Sequence, residues 1–184
     1  MRTKRATRLS SARGQSVAEL ALILPALLLL FLAILQIGFL LFTQVGLTNA
    51  AREASRNAAS IPVVTFAEAS TAATTYYGRL TNSTDGFMKR NVGGYDANQL
   101  TTGTRVCYYK FTDAAGNWAV MARVAVEYSH PLFIPLIGPI IDGWDAFPND
   151  GGVSLTAVED IRVGNAVLAA EPSVGPIGSP TCAP

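Results

Sequence analysis

Charge and histidine are both scarce in this chain. Only 15% of its 184 residues are charged, and acidic and basic side chains nearly cancel to a formal net charge of +1. Such a total gives no indication of nucleic-acid binding. The single histidine, His130, argues against a Ser-His-Asp triad or a histidine-based metal site. One loop gathers several oxygen ligands but lacks the spacing of a calcium-binding EF-hand: Asp142, Asp145, Asn149 and Asp150. We therefore expect no enzyme, no cofactor and no metal.

The longest absence of charge lies near the N-terminus, between Glu19 and Arg52. Residues 20–42 read LALILPALLLLFLAILQIGFLLF, interrupted only by Pro25, Gln36 and Gly38. A helix of that length covers roughly 35 Å, slightly more than the ~30 Å hydrocarbon core of a bilayer. The run therefore predicts a transmembrane helix in contact with the lipid bilayer, with a kink at Pro25.

Two alternatives to a transmembrane helix are weaker. A buried core helix is rarely apolar on every side over this length. A cleaved secretory signal normally has an apolar region of about 7–15 residues, shorter than this one, and ends in a small-residue cleavage site.

Basic residues crowd the segment before the apolar run: Arg2, Lys4, Arg5, Arg8 and Arg13. By the positive-inside rule, they place the N-terminus in the cytoplasm and everything after about residue 43 outside. The predicted organisation is a basic leader (1–14), a transmembrane helix (15–43), an extracytoplasmic α+β domain (44–171) and a flexible tail (172–184).

The junction between leader and helix holds a lone Gly14 and, five residues later, a lone Glu19. A carboxylate in hydrocarbon is unfavourable by about 3 kcal/mol even on insertion scales. One explanation is that an acid in the first helical turn complements the positive end of the helix dipole.

The sequence RGQSVAELALILPALLLLFLAILQIGFLLFTQVGLTNAAREASR stands at residues 13–56. Over about residues 13–58 the chain resembles the TadE-like segment of the Tad (tight adherence) pilus system, whose members are pseudopilins. The resemblance includes Gly14, Glu19, Pro25 and the run LTNAARE at 47–53. It implies cleavage by a prepilin peptidase between Gly14 and Gln15, which makes Glu19 the fifth residue of the mature chain. It also implies a bacterial inner-membrane location and, as partners, the peptidase and other Tad/Flp pilus assembly subunits.

This resemblance gives Glu19 a second role. The new amine at Gln15 and the Glu19 carboxylate have opposite charges, and their attraction at the membrane edge offsets the unfavourable burial of both. The chain is then a minor pilin-like structural component of the Tad/Flp pilus. The alternative is an unprocessed, signal-anchored envelope protein with a binding or adhesion domain, which would tolerate replacement of Gly14 and Glu19.

The remainder of the chain predicts a small pilin-like α+β domain. The membrane helix should continue outward to about residue 59, and a second helix should span 64–80. Residues 104–111 and 118–128 predict an antiparallel β-hairpin, and 153–163 a third strand. A short helix is expected at 166–171, and 81–103 should be a loop.

Two features of the outer part stay open. Residues 131–141 (PLFIPLIGPII) contain three prolines, so they either pack as an extended segment under the sheet or lie against the membrane surface. Cys107 and Cys182 both lie outside the membrane, where either a disulfide or two separate thiols is chemically allowed. The resemblance to pilins, many of which staple their C-terminal region, favours the disulfide.

Overall fold

The structure is a computed structural model that describes residues 11–133, 152–164 and 168–184, with side chains described from residue 16 onward. Its first element is helix α1, Ser11–Ala58, which is 48 residues long. The helix stops just before Ser60-Ile61-Pro62, because the residue before a proline disfavours helical backbone angles. A single apolar N-terminal helix that extends into a small domain is therefore confirmed.

A four-stranded antiparallel sheet forms the second part of the domain. Its strands are β1 (Arg105–Thr112), β2 (Trp118–Pro131), β3 (Gly152–Arg162) and β4 (Thr181–Ala183), in the order β3-β2-β1-β4. The expected hairpin is confirmed as β1 and β2, and the third strand as β3. Strand β2 runs three residues further than predicted because it stays paired with β3 as far as Pro131.

Helices cover one face of this sheet. Helix α2 (Phe66–Thr81) begins with a capping box in which Thr65 and Glu68 satisfy each other's backbone amides. The pKa of the Glu68 carboxyl is lowered because it accepts hydrogen bonds from the backbone of Val64 and Thr65. The outer half of α1 lies against β2 and β3, while α2 lies against β1 and β4. The result is a two-layer α+β domain.

The core lies between the two layers and is built from small helix residues facing larger strand residues. Alternate residues of β2 face the helices and are at most 3% exposed: Val120, Ala122, Val124, Val126 and Tyr128. At the far end of the core, the buried Tyr108 hydroxyl donates a 2.8 Å hydrogen bond to the carbonyl of Ala58, the last residue of α1. Burial raises the pKa of this hydroxyl well above its usual value of 10.0. The bond satisfies a helix-end carbonyl that has no partner within the helix.

The structure corrects the prediction in three places. The expected loop 81–103 contains a short helix α3 (Phe87–Asn91) and a 3-10 helix (Ala97–Gln99). Residues 168–171, the described part of the expected short helix, are not helical, because Leu168 pairs with Trp118 at the sheet. The stretch 172–184, expected to be a flexible tail, buries Val174 and pairs with β1 through β4.

Candidate membrane helix and processing junction

Helix α1 has two halves with opposite surroundings. Its inner half exposes apolar side chains in every direction, including Leu22 at 81% and Leu30 at 63%. Its outer half is fully buried along one side at Leu47, Ala50, Ala51, Ala54 and Ala58. Within the described residues, the part of α1 from Ser16 to Ala58 is the one helix long and apolar enough to cross a membrane, and only 6% of its most apolar 18-residue window is buried. The domain is therefore built around the outer half, while the inner half provides a membrane anchor.

The predicted cleavage residues lie on the same helix. Gly14 and Gln15 are in the first turns of α1, and the exposed Glu19 follows about one turn later. Because α1 begins at Ser11, Glu19 is outside the first turn, which contains no acidic residue. The influence of the helix dipole falls off within that turn, so it does not account for Glu19 in the uncut chain. In a helix that begins at Gln15, Glu19 would lie close to the positive end.

The two special residues within the apolar run do not end the helix. Pro25 lies inside α1 and leaves the carbonyl of Ala21 without its usual helical donor. A kink at Pro25 stays a prediction. Gly38 faces open space, since a Cβ added there would meet no atom within 4 Å. The side of α1 on which Gly38 lies is therefore open.

One side of α1 is buried well below the top of the apolar run. Gln36 is only 1% exposed, although Ile34, Leu35 and Ile37 around it are all exposed. Within the part of the chain that the structure describes, neither polar atom of its amide has a hydrogen-bond partner. The sequence identified Gln36 as a polar interruption but gave no signal that it would be buried.

The C-terminal end of β2 contacts α1 about two turns further along the helix than Gln36. The hydroxyl oxygen of Thr43 lies 3.2 Å from Nδ1 of His130. Burial lowers the pKa of the His130 imidazole below its ordinary value of 6.5. The only histidine of the chain thus joins the anchor helix to the sheet.

Polar contacts continue along the outer half of α1. Arg52 binds Glu159 of β3 at 2.7 Å, and the Gln44 side-chain amide donates to the carbonyl of Thr156 at 2.8 Å. On another side, Glu53 binds Arg90 of α3 at 2.9 Å. Exposed ion pairs of this kind contribute about 0–1 kcal/mol each. Their main effect is to fix the rotation of the domain about the helix.

Cys107 and Cys182 form a disulfide that joins β1 to β4. Cys107 is 1% exposed, whereas Cys182 lies at the surface. The bridge is on the sheet face opposite α1 and α2, so it holds the C-terminal strand without entering the helical core. Apart from the bridge, no group of three or more His, Cys, Asp or Glu that would suit a metal occurs in 11–133, 152–164 and 168–184. The loop with Asp142, Asp145, Asn149 and Asp150 lies outside the described residues.

Comparison with known proteins identifies one part of the chain. Residues 14–56 match the family model described as TadE-like protein. The match begins at the glycine of the junction and ends within the outer half of α1, so it covers less than a quarter of the 184 residues. No curated protein and no solved structure matches the chain. Residues 14–56 of the anchor helix are therefore similar to the TadE-like family, and the sheet domain lies outside the matched range.

Proposed function

We propose that this chain is a minor pseudopilin of the Tad/Flp pilus assembly system, held in the bacterial inner membrane and cut after Gly14 by a prepilin peptidase. The observation that carries the proposal is the TadE-like match over residues 14–56, which includes both Gly14 and Glu19. The basic leader remains in the cytoplasm, where the peptidase acts, and the sheet domain is extracytoplasmic. In this role the chain is a substrate of the peptidase and catalyses no reaction of its own.

The architecture of α1 suits a subunit that assembles side by side with others. A domain wrapped around the outer half of the helix cannot swing away from its anchor, since Leu47, Ala50 and Ala54 are fully buried. The inner part of α1, exposed from Ser16 to Phe31, is available to lipid before assembly and to neighbouring helices after it. Docking of the sheet domain on other subunits would then follow from lateral packing of the helices.

The chemistry of the junction supports a role for Glu19 after cleavage. Cutting at Gly14 creates a positive amine at Gln15, one helical turn before the carboxylate. Two unit charges about 5 Å apart attract by about 3 kcal/mol at an effective dielectric constant of 20. That attraction is similar to the ~3 kcal/mol penalty for placing a carboxylate in the membrane. The pair, formed within one chain or between two, lets Glu19 enter a helix assembly that would otherwise exclude it.

Mass spectrometry of the N-terminus tests the cleavage. We expect protein from its native membrane to begin at Gln15, and the Gly14→Ala variant to begin at Met1. Gly38→Ala is the matched control, because Gly38 is a glycine of the same helix with open space around it. It should be cut normally. A wild-type chain that begins at Met1 would reject processing and favour the unprocessed, signal-anchored envelope protein.

Co-purification of pilus assembly subunits tests the role of Glu19 separately. We expect Glu19→Ala to be cut at the same bond but to lose its partner subunits in a pull-down from detergent extracts. Glu171→Ala provides a control, since Glu171 is a half-exposed acid that pairs with Lys110 in the sheet domain. Equal recovery of partners with both variants would show that Glu19 has no part in assembly.

A further inference from the structure

The end of strand β2 reaches the anchor helix inside its apolar run. The ring of Phe133 packs edge-to-face on that of Phe39, with centroids 5.8 Å apart and an interplanar angle of 77°. One turn further out, His130 contacts Thr43 at 3.2 Å. Two separate contacts therefore fix this corner of the sheet domain beside residues 39–43 of α1.

The length of the apolar run places Phe39 at the outer edge of the hydrocarbon. Glu19 marks the inner edge, since a carboxylate is unfavourable deeper in the membrane. The helix from Leu20 to Phe39 rises about 30 Å, which equals the thickness of a typical hydrocarbon core. Phe133 lies at the same height as Phe39, because their rings are in direct contact.

The exposure of both rings shows what they face. Phe133 is 55% exposed and Phe39 is 52% exposed, so half of each ring is uncovered by the described protein. Exposed Phe side chains at this height remove apolar surface from water when they enter the boundary between headgroups and acyl chains. At the same level, α1 also exposes apolar side chains on its other side, including Ile37 at 52% and Leu41 at 63%.

Gln36 gives independent support from one turn deeper. At 1% exposure it is covered on its own side of α1, below the level of Phe39. If the bilayer ended below Gln36, the run from Leu20 would offer only about 24 Å, too short for the hydrocarbon core. The protein cover over Gln36 and the lipid around Ile34 and Ile37 are thus at the same depth.

We infer that the sheet domain enters the outer leaflet of the bilayer through Phe133, so that the membrane contact of this protein is not confined to α1. The inference rests on the proposed membrane anchoring. Its partner is the boundary between lipid acyl chains and headgroups on the extracytoplasmic side. The sheet domain then contacts the membrane surface through Phe133, just after the end of β2. No exposed length of helix separates the domain from the bilayer.

Photo-crosslinking in lipid nanodiscs tests this contact with the full chain. Benzoylphenylalanine is placed at position 133, at Leu22 as a lipid-facing reference, and at Ile177 as an exposed reference. Ile177 is 57% exposed and lies next to Pro176, which pairs with Lys110 towards the end of β1 furthest from the membrane. We expect lipid adducts at 133 and 22, with at least a tenfold smaller yield at 177.

Each other result has a defined meaning. Adducts at 22 but not at 133 would overturn the inference and leave the anchor standing, as would protein adducts in place of lipid adducts at 133. An absence of lipid adducts at both positions would overturn the membrane anchor itself. Formation of the Cys107–Cys182 disulfide in each variant verifies that the domain is folded.

A second measurement avoids the bulky label. The Phe133→Trp variant has one more tryptophan than the wild type. Subtracting the wild-type spectrum from the spectrum of the variant gives the emission of the new indole. We expect lipids brominated near the headgroup end of the acyl chain to quench this difference by at least half, and lipids brominated near the chain terminus to quench it less. Unquenched emission would place the ring in water and overturn the inference.

Discussion

Breaking the Cys107–Cys182 disulfide should destabilise the sheet domain by several kcal/mol. The bridge closes a loop with a sequence separation of 75 residues. Chain entropy for such a loop corresponds to about 4.5 kcal/mol at 25 °C, because the bridge restricts the unfolded state most when the loop is long. A domain of about 140 residues has an unfolding entropy near 0.3 kcal/mol per degree, so its Tm should fall by roughly 15 °C.

Thermal unfolding of the full chain in detergent, followed by tryptophan fluorescence, measures this change. Oxidised wild type is compared with wild type under reductant and with Cys107→Ala/Cys182→Ala. Reduced wild type and the double variant should agree within about 1 kcal/mol, since either one removes the same constraint. A fall in Tm of less than about 5 °C in both would refute the reasoning, because it would mean that the loop is already restricted in the unfolded chain.

Three further predictions concern the contacts between α1 and the rest of the domain. Tyr108→Phe should lower the free energy of unfolding by about 1–3 kcal/mol, measured by denaturant titration, because the buried carbonyl of Ala58 loses its donor. Gly46→Ala should destabilise by about 1–3 kcal/mol, since its new Cβ would lie 2.4 Å from the backbone oxygen of Asn91. The pKa of His130 is lowered from 6.5 by burial, so the folded state binds this proton less readily than the unfolded state. Stability measured against pH should therefore fall as the pH drops below about 6.5.

Each of these three has a control. A Tyr108→Phe variant as stable as wild type would mean that water or another donor reaches the Ala58 carbonyl. Gly38→Ala should be neutral or slightly stabilising, because Gly38 has open space and alanine favours a helix. Equal losses at Gly38 and Gly46 would contradict a local clash. His130→Gln should remove the part of the acid sensitivity between pH 7 and 5, and an unchanged slope would assign it to other groups.

The parts of the fold that depend on local pattern were predictable. Helix α1, the β1–β2 hairpin and β3 each follow from a long apolar run or from β-branched and aromatic residues bounded by turns. The glycine of the turn between β1 and β2, Gly116, has a φ of 82°, a conformation that glycine adopts without strain. In these elements the sequence pattern and the final packing require the same conformation.

The elements that were missed depend on contacts between distant residues. Helix α3 has five residues and no side-chain cap. The backbone of its last residue, Asn91, packs closely against Gly46 of α1. The 3-10 helix follows Asp96, whose backbone amide donates to the Tyr128 hydroxyl of β2 at 3.2 Å. Strand β4 has three residues and depends on the bridge to Cys107. Short segments of this kind carry no periodic signal of their own.

The residues of the candidate site also include some that the sequence indicated and some that it did not. The roles of Gly14 and Glu19 come from the resemblance of the junction to the TadE-like segment, and they stay predictions. The burial of Gln36 and the contact of Phe133 with Phe39 were not foreseeable, because both depend on residues distant in the sequence that approach the helix from the side. No periodicity in 20–42 distinguishes the covered side from the lipid side.

The uninterrupted course of α1 has a mechanical consequence. Since no loop separates the anchor from the domain, the helix transmits torque as well as tension between them. The direction in which the sheet domain points is therefore set by the rotation of the inner half about the helix axis. Inserting one residue at the membrane boundary would turn the domain by about 100° and raise it by only 1.5 Å. The number of residues in this helix therefore determines the direction in which the domain points far more than its distance from the membrane.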